Sequence, residues 1–208
     1  MKGLFITFEG PEGAGKSTQA RLLADWYRQK GREVVLTREP GGTELGVELR
    51  RLILNRPMQP ETEFLLYSAD RAEHAATVIR PALARGAVVI CDRWLDSSLA
   101  YQGYGRGLPL DWLEAVSRGF LGDLRPELTF LLKIPPRLGL WRAKHRRVSD
   151  EPDRFEAEEL AFHQRVLDGF LELAKRERNR FVVKDVEKPY AEVVQQQLRR
   201  ELESRGLA

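Results

Sequence analysis

Gly10-Pro11-Glu12-Gly13-Ala14-Gly15-Lys16-Ser17 satisfies the pattern G-x-x-x-x-G-K-[ST] in full and follows the apolar run Leu4-Phe5-Ile6-Thr7-Phe8. The spacing has a physical basis. Glycine at Gly10, Gly13 and Gly15 permits backbone angles that other residues avoid, so successive N–H groups can turn inward around a phosphate. Lys16 then reaches the β- and γ-phosphates and the Ser17 hydroxyl binds Mg²⁺. The helix that starts here points the positive end of its dipole at the same anion. Gly10, Pro11, Glu12, Gly13, Ala14, Gly15, Lys16, Ser17 and Thr18 are thus the expected donor-phosphate loop, and the chain is expected to bind a nucleoside triphosphate.

Outward from this loop, five runs dense in Val, Ile, Leu and Phe fall at 4–9, 33–37, 87–91, 128–134 and 180–185. They lack strict alternation, as strands of a parallel sheet covered on both faces do. Helical patterns separate them, at 17–30, 43–55, 61–85, 110–121, 137–146, 156–178 and 190–205. The alternation predicts a doubly wound α/β fold, a five-stranded parallel sheet flanked by helices, with ligands beyond the carboxyl ends of the strands. The loop at Gly10, the segment Arg38-Glu39-Pro40-Gly41-Gly42-Thr43 and the pair Asp92-Arg93 each follow a strand, so all three converge on one rim.

The 208 residues, 42% hydrophobic, are enough for one sizeable core and read as one domain. The single cysteine, Cys91, leaves no disulfide framework, and no segment approaches the ~18 apolar residues of a membrane span. The first residues run into a strand with no signal-peptide pattern, and the chain is expected to be cytoplasmic. A net charge of +3 is mildly basic. Its cations cluster between Arg137 and Arg147, where a phosphate-handling enzyme needs them as much as a nucleic-acid binder does.

Asp92 closes the run Val88-Val89-Ile90-Cys91 and is placed to steady Mg²⁺ with Ser17. Arg93 follows, and a guanidinium beside a magnesium carboxylate suits a second phosphate group. Glu12 is an unusual choice in such a loop. Either its carboxylate turns outward toward an acceptor bearing hydroxyl groups, or it is an exposed turn residue. The loop's own cation is Lys16, with no arginine, whereas phosphoryl transfer needs positive charge on the migrating group. Arg142, Arg146 and Arg147, in the run Arg142-Ala143-Lys144-His145-Arg146-Arg147, are candidates for a basic lid over about 137–156 that closes to supply it. As a bare charge run, the same stretch is a solvated helix face. His74, His145 and His163 are too scattered for a metal site or a triad.

The loop at 10–18, the segment Arg38–Thr43, Asp92-Arg93 with Tyr101-Gln102-Gly103, and Asp153-Arg154-Phe155-Glu156 occur in an order that resembles the bacterial thymidylate kinases. The resemblance implies a P-loop kinase fold, a homodimer, and Mg²⁺-dependent transfer of the γ-phosphate of ATP to dTMP, giving dTDP and ADP. By position it implies that Arg93 holds the acceptor phosphate and acts in catalysis with Lys16. Tyr67 stacks on the thymine, and Arg71, one helical turn later on the same face, bonds its edge. Ser98 and Gln102 approach the base, Tyr101 underlies the deoxyribose, and Glu12 reaches the 3′-hydroxyl. Arg38, Glu39 and Arg50 belong to the acceptor side. A kinase for another nucleoside or nucleotide shares most of these features. A nucleic-acid-dependent ATPase is the weaker alternative, because the basic stretch lacks the interleaved aromatic residues of a strand-binding groove, and no nucleic-acid partner is expected.

Overall fold

Leu4–Glu9 forms β1, with every residue buried, at the centre of a parallel sheet ordered β2-β3-β1-β4-β5. The other strands are β2 (Val34–Arg38), β3 (Val88–Asp92), β4 (Leu128–Lys133) and β5 (Phe181–Asp185). The computed structural model describes residues 2–146, 153–188 and 190–208. Side-chain alternation along β1 divides the interior. Leu4, Ile6 and Phe8 pack with Val88, Ile90, Phe130 and Leu132 beneath α1 (Lys16–Gln29) and α9 (Ala191–Ser204). Phe5 faces the opposite layer, where Thr7 Oγ1 meets Thr129 Oγ1 at 2.8 Å and Glu9 is also buried. Burying each large apolar side chain here contributes about 1.5–3 kcal/mol.

That second layer holds α2 (Glu44–Asn55), α3 (Pro60–His74), α4 (Arg80–Ala84), α5 (Leu95–Ser98), α6 (Leu110–Leu121) and α8 (Leu160–Arg176), while α7 (Pro136–Arg146) follows β4. The chain leaves β1 toward one side of the sheet and β3 toward the other. A crevice therefore opens at the carboxyl ends of β1 and β3. Register fixes its depth, because Phe8 lies opposite Asp92, two residues before Gly10.

Three helical expectations are corrected. The helix expected at 61–85 is interrupted by a π-helical segment, Ala75–Ile79, in which Arg80 N donates to Ala75 O. Pro81 has no N–H and its ring collides with a carbonyl four residues back, so the turn before it widens. The helix expected from 156 begins at Leu160, after turns in which Asp153 Oδ1 accepts from the amides of Phe155 and Glu156. Between Asp92 and Leu110, where no helix is expected, α5 continues into a π-helical segment, Leu99–Gly105. No helix among the described residues is long and apolar enough to cross a membrane.

Candidate active site

The loop after β1 closes tightly because it has no side chains at its contact points. Gly10 has φ 137° and Gly13 φ 70°. A Cβ on Gly10 would stand 2.3 Å from Leu132 O, and one on Gly13 would stand 2.0 Å from Gly139 O. Lys16 is buried and donates from Nζ to Pro11 O at 2.7 Å. Burial and the nearby Arg93 pull its pKa down to about 8 against the opposing pull of Glu12, Asp92 and Glu9. The Ser17 hydroxyl donates to Asp92 Oδ2, and Asp92 Oδ1 is buried with no hydrogen-bond partner among the described residues. A hydroxyl and a carboxylate with an unused oxygen, beside a phosphate loop, are the hard donors that Mg²⁺ takes.

A cavity whose empty space, open mouth included, is roughly 540 Å³ lies beside the loop, lined by Glu12, Glu39, Arg50, Tyr67, Arg71, Arg93, Ser98, Tyr101 and Gln102 among others. Nine of the ten expected acceptor-side residues thus line one cavity. The tenth, Arg38, is exposed at the end of β2 and does not line it. Within α5 and its continuation, Ser97, Ser98, Tyr101 and Gln102 recur on one stripe.

Charge in this cavity is tightly paired. Arg93 Nη2 donates to Glu12 Oε1 at 2.7 Å, and Tyr101 Oη donates to the same oxygen at 2.9 Å. Burial favours neutral Glu12, yet Arg93, Lys16 and Tyr101 outweigh it and hold its pKa near 2. Burial also opposes the charge on Arg93, and Glu12, Tyr101, Asp92 and Glu9 push its pKa up nonetheless. Glu12 is therefore neither a free turn residue nor, in this state, turned away from the loop's cations.

Arg71 is buried and donates from Nε to Glu39 at 2.8 Å and from Nη2 to Ser98 Oγ at 3.0 Å. Its Nη1 has no hydrogen-bond partner among the described residues. Glu39 also meets His74 Nδ1 at 3.0 Å, so it buttresses Arg71 from behind. Gln102 Nε2 donates to the buried Glu63 at 2.7 Å, which leaves the amide carbonyl as its acceptor. Arg50 Nη1 donates to Pro40 O at 3.0 Å, next to the cis Glu39–Pro40 bond.

On the far side of the loop, Gly13, Ala14, Gly15, Thr18, Trp141, Arg142 and His145 line a second cavity, of roughly 730 Å³. Arg142 donates to Val186 O at 3.0 Å and Glu187 O at 2.8 Å, which sets its guanidinium on this side of the loop. Arg146 ends α7, and Arg147 lies outside the described residues.

Several residues here have no signature in the sequence reading. Glu9 accepts from Trp94 N at 2.8 Å behind Arg93. Glu63 gathers Gln102, Arg106 and Arg154, and Gly139 lets α7 touch the phosphate loop. Hydrophobic periodicity hides Glu63 inside α3. The small residue in α7 is the one local hint at Gly139.

The family model described as Thymidylate kinase matches residues 8–197. The thymidylate kinase of Deinococcus radiodurans is 52% identical over 194 residues, covering 92% of this chain and 93% of that protein. That of Gloeobacter violaceus is 55% identical over 175 residues, covering 83% and 82%. Among solved structures, thymidylate kinase from Ehrlichia chaffeensis matches with a TM-score of 0.79 at 32% identity, covering 97% of this chain and 99% of that one. A glycine-rich loop with a cavity on either side, at the carboxyl end of a five-stranded parallel sheet, agrees with those matches: the chain belongs to the thymidylate kinase family.

Proposed function

We propose that this chain transfers the γ-phosphoryl group of ATP to the 5′-phosphate of dTMP, giving ADP and dTDP. One observation carries the reading. Neighbouring residues serve opposite cavities, Glu12 on the acceptor side and Gly13 on the donor side, so two bound nucleotides meet end to end at the loop. Such an arrangement supplies the positioning on which phosphoryl transfer depends.

The acceptor base is read by two groups that the fold has already oriented. Arg71 Nη1 offers a donor to an exocyclic carbonyl, and Gln102 offers an acceptor to a ring N–H. Thymine presents O4 and N3–H, which match. Cytosine presents an amino group where O4 would be and an unprotonated N3, leaving both protein groups unpaired. Tyr67 and Phe155, their ring centroids 6.2 Å apart and their planes tilted by 58°, supply aromatic lining. Tyr101, held edge-on against Phe155 and Phe170, is the residue placed under the sugar, where a fixed ring would exclude a 2′-hydroxyl. Glu12 takes the 3′-hydroxyl.

The attacking phosphate oxygen is already an anion, so the reaction needs no strong general base. Lys16 and Arg93 hold the two phosphate groups in line, and Lys16 exchanges Pro11 O for the donor phosphates. Ser17 and Asp92 would hold Mg²⁺, which would supply Lewis-acid neutralisation of the phosphate oxygens. The segment at about 137–156 acts as the lid. Arg142 clamps the donor from its seat on Val186 and Glu187, and Arg146 and Arg147 are the further candidates for the charge on the transferred group. A homodimer fits the apolar face left open on α2, α3 and α6 by Leu45, Leu52, Leu65 and Trp112.

A coupled ADP-release assay over a panel of mononucleotides tests the reading, with dTMP expected to exceed dCMP, dAMP and dGMP by at least 100-fold in kcat/KM. Arg93→Ala is expected to lower kcat/KM for dTMP at least 100-fold, about 2.7 kcal/mol of transition-state stabilisation. A variant within threefold of wild type sinks the acceptor assignment.

A further inference from the structure

Arg93 is held against an unfavourable backbone. Its φ of 75° lies in the left-handed region, where a side chain crowds the following carbonyl. Its N–H donates to Phe8 O at 2.9 Å, and Cys91 Sγ donates to its carbonyl at 2.9 Å. A further fastening comes from Glu9, fully buried at the end of β1. Glu9 Oε1 accepts from Trp94 N, and Oε2 is hydrogen-bonded to Ser97 Oγ at 2.5 Å. Ser97 Oγ in turn accepts from Arg93 Nη1 at 3.1 Å. One carboxyl thus grips both ends of Arg93, the backbone through the next amide and the guanidinium through a serine hydroxyl. The other arm, Nη2, turns to the acceptor cavity, where Glu12 and Tyr101 meet it.

We propose that Glu9 is a positioning residue for the acceptor: it fixes the angle at which Arg93 presents its guanidinium to the acceptor phosphate, without touching either nucleotide. Glu9 lines neither cavity. A buried carboxyl is disfavoured unless hydrogen bonds compensate it, and both of its oxygens are committed to the Arg93 turn. The neighbouring acid, Asp96, has a different partner, gripped by Arg180 at 2.7 and 2.9 Å. The inference rests on the reading that Arg93 holds the acceptor phosphate.

Steady-state kinetics of Glu9→Leu, Ser97→Ala, their combination and Glu9→Gln test it, with Arg93→Ala as the reference. Glutamine keeps an acceptor for Trp94 N–H and turns the second bond round, its amide donating to the Ser97 oxygen whose hydroxyl donates to Glu9 in the wild type, whereas leucine offers neither bond. Glu9→Leu is expected to raise KM for dTMP at least tenfold while KM for ATP stays within twofold. Glu9→Gln brings the dTMP value back to within threefold of wild type. The double variant raises it no further than the worse single change, since both act on one relay. A folded Glu9→Leu protein with wild-type KM for dTMP, or one that raises both KM values in proportion, overturns the proposal. If Glu9→Leu does not fold, Glu9→Met, closer to glutamate in shape and without its hydrogen bonds, decides by the same criterion: a selective rise in KM for dTMP supports the relay and no rise overturns it, while Ser97→Ala serves only in the double-variant comparison because Ser97 lines the acceptor cavity itself. If Arg93→Ala leaves KM for dTMP unchanged, the acceptor reading itself fails, and the relay fails with it.

Discussion

Glu9 and Glu12, three residues apart, have environments that drive their protons in opposite directions. Burial, then the charge of Asp96, raises the Glu9 pKa to about 8, with Ser97, Arg93 and Trp94 N–H only partly offsetting them. Glu12 is buried too, but Arg93, Lys16 and Tyr101 win and bring it to about 2. At neutral pH the first is an acid and the second a carboxylate, so Arg93 has one ionised partner on the cavity side. Glu9 therefore has a consequence for stability. Between its ordinary value of 4.5 and its folded value near 8, the folded chain binds more protons at this site than the unfolded chain does. Stability contributed by the neutral acid is present in full below about pH 4.5 and is lost as pH rises through 8. Glu9→Gln removes that titration, so its urea midpoint should fall less between pH 6 and pH 9 than that of wild type. The slope involved is at most about 1.4 kcal/mol per pH unit. Parallel curves for the two proteins would mean that Glu9 is ionised in the fold.

Among elements, legibility follows locality. The five strands are legible because β1, β3 and β4 are continuous apolar runs and even the edge strands β2 and β5 are rich in Val, Leu and Phe, so each boundary lies within one residue of its expected place. The run Leu95–Gly105 was not readable. Ser97, Ser98, Gly103 and Gly105 carry loop composition, and it is helical because α8 packs along it. The site divides the same way. Lys16, Ser17, Asp92 and Arg93 are fixed by spacing along the chain, whereas Glu9, Glu63 and Ser97 gain their roles only from register and packing. Gly139 is the sharpest case. Helix propensity alone favours alanine there by about 1 kcal/mol. Yet a Cβ would stand 2.3 Å from Glu12 O, a backbone atom that cannot swing aside. Gly139→Ala is accordingly expected to lift α7 from the phosphate loop and raise KM for ATP at least fivefold, with the melting temperature within a few degrees of wild type. Unchanged ATP kinetics would show that the contact between α7 and the loop carries no functional weight.

At the scale of the whole molecule, the exposed apolar residues are not scattered. Leu45 and Leu52 lie seven residues apart on α2, Leu65 is on α3, and Trp112 on α6 packs its ring 5.2 Å from Phe64 of α3. Because α3 lies between α2 and α6 in the contact network, these side chains belong to one helical layer, and a second copy offers the same layer in return. The proposed dimer face is continuous with the acceptor cavity, because α3 carries Leu65 outward and Tyr67 and Arg71 inward. Placing a carboxylate in such a face leaves two like charges opposed across the two-fold axis. Leu52→Glu and Leu65→Glu should therefore shift the mass by light scattering from twice the 23.9 kDa chain toward the single chain. Leu65→Glu should also raise KM for dTMP more than KM for ATP, since it loosens the helix that reads the base and spares the phosphate loop. A wild-type protein that runs as a monomer, or variants that keep the doubled mass, would remove this face from the interface. A Leu65→Glu monomer with unchanged dTMP kinetics would instead separate assembly from base reading, leaving Arg71 and Gln102 oriented by Glu39 and Glu63 alone.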